Sequence, residues 1–191
     1  MSIEPEPQQV STETDSRALS SVVREIRWWA RDVFFAVGTA ILIVVFLYQP
    51  VKVEGTSMLP ELVDQERIFV NKFVYRIEKI ARKDIVVFWY PKDPTKSYIK
   101  RIIGMPGDVV EIRNGLVYVN DQVLDEPYLT PDLMDRRTYP PVYVDPGFYY
   151  VLGDHRNQSN DSRMWGLVPE SHIYGKAVFR YWPMNKMGTL D

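Results

Sequence analysis

The sequence contains no cysteine and only two histidines, His155 and His172. The first absence excludes thiol nucleophiles, disulfides and zinc sites built on cysteine ligands. The two histidines leave little material for a metal site with histidine ligands. If the chain carries out serine catalysis, we expect its serine to use a base other than histidine.

The chain also lacks an excess of charge of either sign, because its formal net charge is −2 over 191 residues. No basic run stands out, so nucleic acid is not an expected partner. Hydrophobic residues make up 46% of the sequence, which is typical of a chain that folds. This length allows one core of ordinary size and an anchor, but not two full domains.

Only one long apolar run is present, over residues 33–48, and it contains no charge. As a helix it extends about 24 Å, somewhat short of the roughly 30 Å of bilayer hydrocarbon unless flanking residues contribute. A buried core helix and a cleaved signal peptide are the competing interpretations. Trp28 and Trp29 are typical of a membrane interface, and residues 49–52 offer no small-residue cleavage site. We therefore predict an uncleaved transmembrane anchor over residues 33–50.

The charges that flank the run predict its orientation. Four arginines precede it, at positions Arg17, Arg24, Arg27 and Arg31. Only Lys52 follows it closely. Because positive charge favours the cytoplasmic side, we expect residues 1–32 to be a cytoplasmic tail and basic juxtamembrane segment. The polar residues 1–16 are expected to be disordered, and residues 51–191 to lie outside the cytoplasm in a single-pass plasma (inner) membrane protein.

Beyond Pro50 the pattern changes from helical to strand-like. Segments rich in β-branched and aromatic residues predict strands over residues 67–75, 85–90, 98–103, 109–112, 116–119, 122–124, 148–152 and 177–181. Asn114-Gly115 predicts a tight hairpin, because both central turn residues need a positive φ. The proline-rich residues 127–146 predict an irregular excursion. We predict a mostly β, antiparallel fold with a small hairpin and cap insertion over about residues 109–150.

Ser57 lies a few residues past the apolar run, in Gly55-Thr56-Ser57-Met58-Leu59-Pro60. Most serines in turns cap helices or face solvent, so this one alone is a weak signal. Gly55 permits a sharp bend and Pro60 stiffens the exit from the turn. A nucleophile at this position would reach substrates presented at the membrane surface.

Lys100 interrupts the otherwise apolar strand Tyr98-Ile99-Lys100-Arg101-Ile102-Ile103. Since side chains alternate across a strand, either Lys100 or Arg101 points toward the core, and a solvent-facing pair is the competing interpretation. Lysine tolerates burial better, because its pKa can fall by several units and the neutral amine is a general base for a serine hydroxyl. Lys100 is therefore the candidate for the buried member, although the strand alone favours a pair that faces solvent.

A run dense in polar groups extends from Gly153 to Arg163, between an apolar strand and Trp165. An ordinary polar surface loop is one interpretation. The other is a buried network, because buried polar groups require partners. Asp161 and Arg163 are suited to a charge-assisted pair, and Ser159 could orient an amine.

Together these stretches resemble the type I signal peptidases, which are membrane-anchored Ser–Lys proteases of peptidase family S26. The resemblance covers the chain from the anchor to Trp182-Pro183. It rests on Gly55-Thr56-Ser57-Met58-Leu59-Pro60, Val70-Asn71-Lys72-Phe73, Asp84-Ile85-Val86-Val87-Phe88, Tyr98-Ile99-Lys100-Arg101-Ile102-Ile103-Gly104-Met105-Pro106-Gly107-Asp108, Gly153-Asp154-His155-Arg156 and Asp161-Ser162-Arg163.

The resemblance implies that residues 51–191 are a catalytic domain in which Ser57 is the nucleophile and Lys100 its general base. It implies that Ser159 positions Lys100 while Asp161 and Arg163 brace the site. Substrates would be preproteins cut after a signal peptide with small residues at the first and third positions before the bond. Shallow pockets for these side chains would be lined by Val51, Val53, Val87 and Ile99. No metal or organic cofactor is expected, and the protein is expected to be a monomer.

Three positions depart from the family's pattern. Gly55 replaces a serine whose hydroxyl helps to form the oxyanion hole in some members, so the Ser57 N–H acts alone or with another group. Residues 63–67 lack the usual Gly-Asp turn, and His155 replaces the usual asparagine.

Other functions compete with this interpretation. A self-cleaving repressor-type Ser–Lys protease would not need an anchor, and a triad of Ser57, His155 and an aspartate has no independent support in the sequence. From a different class, an anchored and catalytically silent β domain would bind exported peptides, but such a domain has no chemical need for both Ser57 and Lys100.

Overall fold

A computed structural model of the chain describes residues 11–190, and describes side chains for all of these except residues 11–23 and 43–45. The chain divides into two compact units, one ending at Phe46 and the other beginning at Leu47. The first consists of helix α1 (Ser11–Leu47) in its described part. The second is built mainly from antiparallel strands, as the sequence predicts.

Helix α1 is longer than the sequence pattern suggested. Residues 1–10 of the expected disordered tail lie outside the described residues, but the chain is already helical from Ser11, so that part of the prediction is wrong. No proline or glycine interrupts the sequence between Ser11 and Gly38, and an established helix extends readily through such a segment. No helix in the described part of the chain is both long and apolar enough to cross a membrane.

The helix ends at Leu47, and Tyr48–Lys52 forms the first strand. The last residues assigned to the anchor therefore belong to the β unit. Pro50 accounts for this boundary, because a proline disfavours helical backbone at the residue before it and cannot donate to a helical hydrogen bond.

The β unit contains twelve strands among the described residues. They are β1 (Tyr48–Lys52), β2 (Arg67–Asn71), β3 (Ile85–Tyr90), β4 (Asp93–Gly104), β5 (Val109–Arg113), β6 (Leu116–Val119), β7 (Gln122–Val123), β8 (Tyr139–Tyr143), β9 (Phe148–Leu152), β10 (Val168–Pro169), β11 (Ile173–Trp182) and β12 (Gly188–Thr189). A short helix, α2 (Ser162–Trp165), and five 3-10 turns connect them: Val74–Arg76, Pro131–Leu133, Arg156–Gln158, Glu170–His172 and Met184–Lys186.

These strands form two sheets. An eight-stranded sheet has the order β1-β2-β11-β3-β4-β9-β10, with β12 paired to β11, and a four-stranded sheet has the order β7-β6-β5-β8. The hairpin predicted at Asn114-Gly115 joins β5 to β6, with φ of 50° and 84° at the two turn residues. Strands β4 and β9 pair in antiparallel register next to β3, so the lysine strand lies in the interior of the large sheet.

The predicted excursion over residues 127–146 is not wholly irregular. Its end forms β8, which pairs with β5 even though Pro140 and Pro141 lie within it. Strand β8 is the edge of its sheet, where proline is tolerated because one side of the strand needs no donor. The proline content was therefore a sign of an edge strand and not of an absent one.

Both faces of the large sheet are covered around β3. Ile85, Val86, Val87 and Phe88 are all buried in this strand. Ile85 and Val87 join one apolar cluster with the serine loop, and Val86 and Phe88 join a second cluster that contains Trp165. A third cluster fills the space between the end of β4 and the four-stranded sheet. A polar side chain at this part of β4 is therefore buried on either face of the strand.

The end of β4 provides a test of this packing. A Cβ placed on Gly104 would lie 2.5 Å from Val110 Cγ2 and 2.9 Å from Tyr150 Cβ, inside the third cluster. We expect Gly104→Ala to lower the free energy of unfolding by about 1–3 kcal/mol, because the core has no room for the methyl group. Denaturant unfolding in detergent measures this change. Gly188→Ala is the control, since a Cβ there meets no atom within 4 Å, and an equal loss in both variants would contradict the packing described.

Candidate active site

The loop between β1 and β2 holds Ser57 on top of the first apolar cluster. The Val53 N–H donates to the Glu66 carbonyl at 2.8 Å, and the Gly55 N–H donates to Asp64 Oδ1 at 2.8 Å. Met58, next to the serine, is buried in the cluster. Gly55 has a φ of 93°, so the bend predicted at this glycine is present. Ser57 is half-buried, and these contacts hold its loop against the apolar cluster.

Lys100 reaches Ser57 from β4. Its Nζ lies 2.6 Å from Ser57 Oγ, although the two residues are 43 positions apart in the chain. The same Nζ donates to the Ile99 carbonyl at 3.0 Å. Only 4% of Lys100 is exposed. The structure thus brings together the two residues that the sequence predicts to be the nucleophile and its general base.

Burial lowers the pKa of Lys100 from 10.5 to about 8. Loss of solvent around the ammonium is the main cause, and the positive charge of Arg163 acts in the same direction. The negative charges of Asp161 and Asp154 oppose the shift without cancelling it. A lysine with this pKa supplies neutral amine near physiological pH, and a neutral amine can accept the proton of the serine hydroxyl.

Arg101 is buried as well, which corrects the expectation that only one of the two neighbours would be. It is 1% exposed, and its guanidinium forms a bidentate pair with Asp154, Nε to Oδ1 at 3.0 Å and Nη2 to Oδ2 at 2.8 Å. It also lies 3.9 Å from the centre of the Tyr128 ring. Because both faces of β4 are covered here, alternation places Arg101 in a second interior environment, and the carboxylate of Asp154 compensates its charge.

The polar run from Gly153 to Arg163 is a buried network. Arg163 donates from Nε to Asp161 Oδ1 and from Nη2 to Asp161 Oδ2, both at 2.8 Å, so the expected charge-assisted pair is confirmed. The Gly153 N–H donates to Asp161 Oδ2 at 3.1 Å, and Arg163 also reaches Asp135 at 3.0 Å. The pair therefore connects both ends of the run to the excursion.

Ser159 has a different environment from the one expected. Its Oγ is buried and has no hydrogen-bond partner among the described backbone and side-chain groups. It packs against Gly153 so closely that a Cβ on that glycine would overlap it. The hydrogen bonds of Lys100 Nζ go to Ser57 and Ile99, so the positioning role of Ser159 stays a prediction.

Several buried groups of this network were missed in the sequence. Glu126, in the excursion, pairs with Arg156, whose Nη1 donates to Glu126 Oε2 at 2.9 Å. The Tyr128 hydroxyl donates to Glu126 Oε1 at 2.7 Å. Arg156 and Asp154 lie in the polar run and could have been singled out as charges next to an apolar strand. Glu126 gave no such signal, because its partner lies 30 residues away.

His155 contacts the backbone of the serine loop. Its Nδ1 lies 3.0 Å from the Thr56 carbonyl oxygen, and its own N–H donates to the Ser57 carbonyl at 3.1 Å. These contacts are with main-chain carbonyls, while Ser57 Oγ is bonded to Lys100. The geometry therefore favours the Ser–Lys pair over a triad based on His155.

A cavity of about 380 Å³ opens beside the Ser57–Lys100 pair. Its wall includes all four residues expected to form substrate pockets, Val51, Val53, Val87 and Ile99. The wall also includes Gln158, Asn160 and Tyr174, and the charged residues Lys52 and Glu54. The dyad therefore lies at the edge of a partly apolar cleft large enough for small side chains.

The family model described as "Signal peptidase, peptidase S26" matches residues 26–182, which is most of the chain. The chain belongs to this signal peptidase family. Signal peptidase I of Bacillus amyloliquefaciens is 41% identical over 169 residues, covering 83% of this chain and 86% of the relative. Signal peptidase I S of Bacillus subtilis (strain 168) is 40% identical over 174 residues, covering 86% and 93%.

Among solved structures, the chain is similar to a crystal structure of a signal peptidase I from Enterococcus faecalis V583. The two are 31% identical, with a TM-score of 0.47, and the match covers 52% of this chain and 97% of that one.

Two departures from the signal peptidase pattern have structural counterparts. In the turn over residues 63–67, Gln65 adopts a φ of 70°, and its N–H donates to the Val53 carbonyl at 2.9 Å. The turn is thus kept by a residue in the left-handed region. At Gly55, no side chain is available as an oxyanion donor, which leaves the Ser57 N–H as the donor expected from the sequence.

The shifted pKa of Lys100 predicts the pH dependence of this signal peptidase. The protonated amine cannot accept the serine proton, so kcat/KM should rise with pH and level off above an apparent pKa of about 8. Below that pH, the activity should fall roughly tenfold per pH unit, because the fraction of neutral amine does so. Initial rates of peptide cleavage across this pH range measure the profile. An activity that does not change between about pH 6 and about pH 9 would contradict the assignment.

The Arg101–Asp154 pair predicts a large stability effect. We expect Asp154→Ala to lower the free energy of unfolding by about 3–5 kcal/mol, because it leaves a buried guanidinium without its carboxylate. Lys96→Ala removes a partner from the exposed Lys96–Asp93 pair and should cost less than about 1 kcal/mol. Denaturant unfolding of both variants measures the contrast, and equal losses would contradict it.

Proposed function

We propose that this chain is a membrane-bound serine endopeptidase that removes N-terminal signal peptides from exported preproteins. The observation that carries the proposal is the 2.6 Å contact between Ser57 Oγ and the buried Lys100 Nζ. The names of the relatives, signal peptidase I, support the same activity.

In the proposed mechanism, neutral Lys100 accepts the Ser57 proton as Oγ attacks the carbonyl carbon of the scissile bond. The resulting oxyanion accepts a hydrogen bond from the Ser57 N–H. The protonated Lys100 then gives its proton to the leaving amine, and the signal peptide stays bound to Ser57 as an ester. Water, deprotonated by Lys100, attacks the ester, and the proton returns from Lys100 to Ser57 Oγ.

We further propose supporting roles for the polar run. Asp161 and Arg163 brace the loop that faces Lys100, and their charges act in opposite directions on its pKa. Ser159 positions the lysine, with its buried Oγ as the group available for this role. These roles are consistent with the burial of all three groups close to the dyad.

Substrate selection is proposed to depend on the cleft. Val51, Val53, Val87 and Ile99 would form shallow apolar pockets for small side chains at the first and third positions before the bond. All four side chains line the cleft beside the dyad, which supports apolar side chains over charged ones at these positions.

Anchoring is also part of the proposal. Residues 33–47 would cross the plasma membrane once, since residues 48–50 belong to β1. Residues 1–32 would lie in the cytoplasm and residues 51–191, including the cap at about 109–150, outside it. Large apolar side chains exposed along α1 support this, since such surfaces normally contact lipid or protein: Trp28, Trp29, Phe34, Phe35, Ile41 and Leu42. The preproteins and the bilayer would be its partners, and the chain is proposed to act as a monomer.

Substitution of the dyad tests the proposed activity. We expect Ser57→Ala, Lys100→Ala and Lys100→Arg each to lower kcat for preprotein cleavage by at least about three orders of magnitude. Lys100→Arg is informative because arginine keeps the charge but does not deprotonate. Cleavage by the purified full-length chain in detergent is the measurement.

Lys96→Ala provides the matched control, because Lys96 lies on the same strand with its side chain 64% exposed. It should cleave at nearly the normal rate. Normal turnover by Lys100→Arg would exclude Lys100 as the base, and an inactive wild-type chain would leave the silent peptide-binding domain as the better description.

A further inference from the structure

Residue 55 is glycine and offers no side-chain hydroxyl to an oxyanion, unlike the serine expected at this position in some members of the family. The remaining donor is the Ser57 N–H, which makes no hydrogen bond within the part of the chain that the structure describes. A single N–H must then be aimed well, because a donor stabilises the oxyanion only if it points at the position where the charge develops. The environment of the Thr56–Ser57 peptide decides how well it is aimed.

His155 holds both peptide groups that flank the Ser57 Cα. Its ring Nδ1 bonds the Thr56 carbonyl at 3.0 Å, and its main-chain N–H bonds the Ser57 carbonyl at 3.1 Å. A carbonyl oxygen only accepts, so Nδ1 carries the proton in this contact. Fixing the planes on both sides of one Cα fixes φ and ψ at that residue. The Leu59 N–H also donates to the Thr56 carbonyl, at 3.1 Å, from within the serine turn. His155 adds the contacts from outside the turn, and it bonds both peptide groups.

The first of these contacts determines the direction of the oxyanion donor. The Thr56–Ser57 peptide bond is trans, so its C=O and N–H point in opposite directions within one plane. A ring N–H that holds the carbonyl on one side therefore aims the Ser57 N–H on the other. A hydrogen bond to the carbonyl also polarises the amide, which makes its N–H a stronger donor.

His155 is itself held rigidly. It is 6% exposed, and the preceding residue, Asp154, forms the bidentate pair with Arg101. Gly153 approaches the Ser57 carbonyl so closely that a Cβ would not fit between them. The strand that carries Lys100 therefore also fixes, through Arg101, the residue that holds the backbone of Ser57.

We propose that His155 is a positioning residue that aims the Ser57 N–H at the oxyanion and so offsets the donor missing at Gly55. The proposal rests on the function proposed above and adds a determinant of transition-state stabilisation to it. It also gives a reason why asparagine is the usual residue here. Asparagine Nδ2 and histidine Nδ1 are both two bonds from Cβ, so each can offer an N–H to the Thr56 carbonyl from the same place.

The test compares His155→Asn with His155→Leu in the full-length chain in detergent. The two side chains have the same branching, but only asparagine has the N–H. For a peptide substrate with small residues before the bond, His155→Leu should lower kcat by about 10–100-fold with KM changed less than about threefold, while His155→Asn stays within about threefold of wild type. A peptide aldehyde, which forms a hemiacetal with Ser57, should bind more weakly to His155→Leu by a factor similar to the loss in kcat.

The pH profile distinguishes this role from an effect on the base. The apparent pKa of kcat/KM should be the same in His155→Leu and wild type, because Lys100 keeps its surroundings. Thermal unfolding of each variant checks the fold, and His155→Ala replaces the leucine variant if that one does not fold.

Four results would overturn the inference: equal losses in the asparagine and leucine variants, no loss in either, a loss confined to KM, or a shifted apparent pKa. If the wild-type chain cleaves its substrate and the variants give any of these four results, the proposed function stands and only this inference fails. A wild-type chain that does not cleave overturns the proposed function first, and this inference with it.

Discussion

The buried pairing of Arg101 with Asp154 is the interaction on which the rest of the site depends. It joins the strand that carries Lys100 to the loop that contacts the backbone of Ser57, and both partners are almost fully removed from solvent. Two charges buried in this way require close, bidentate contact to compensate for the loss of water. The cost of burial thus enforces a rigid connection between the base and the nucleophile.

Lys100 differs from the other buried cations around it. Arg101, Arg156 and Arg163 each contact a carboxylate. Among the side chains that the structure describes, no carboxylate lies within salt-bridge distance of Lys100. Its ammonium is desolvated without a paired counter-charge, which lowers its pKa. The arginines keep their charge and organise the polar groups. The lysine is left as the cation that can lose its proton.

The sequence indicated Ser57 and Lys100 as partners through motifs that resemble a known family, and it predicted most strands from local patterns. Lys100 interrupts an apolar strand, and Asn114-Gly115 has the backbone preference of a hairpin. Burial of Arg101 could not be predicted, because it requires cover on both faces of β4 from distant segments. The pairing of Glu126 with Arg156 depends on chain folding across the excursion, and β8 was hidden by prolines that only an edge position tolerates.

The central claim is that burial beside Ser57 lowers the pKa of Lys100 enough to make its neutral amine available as a base, and the titration of Lys100 tests this most directly. Selective isotope labelling of lysine side chains, with Lys100→Arg to assign the signal, allows its pKa to be measured by NMR in the full-length chain in detergent. The account predicts a value of about 8, well below the ordinary 10.5. A value at or above 10.5 would contradict it, because the amine would then be protonated wherever the enzyme is expected to work.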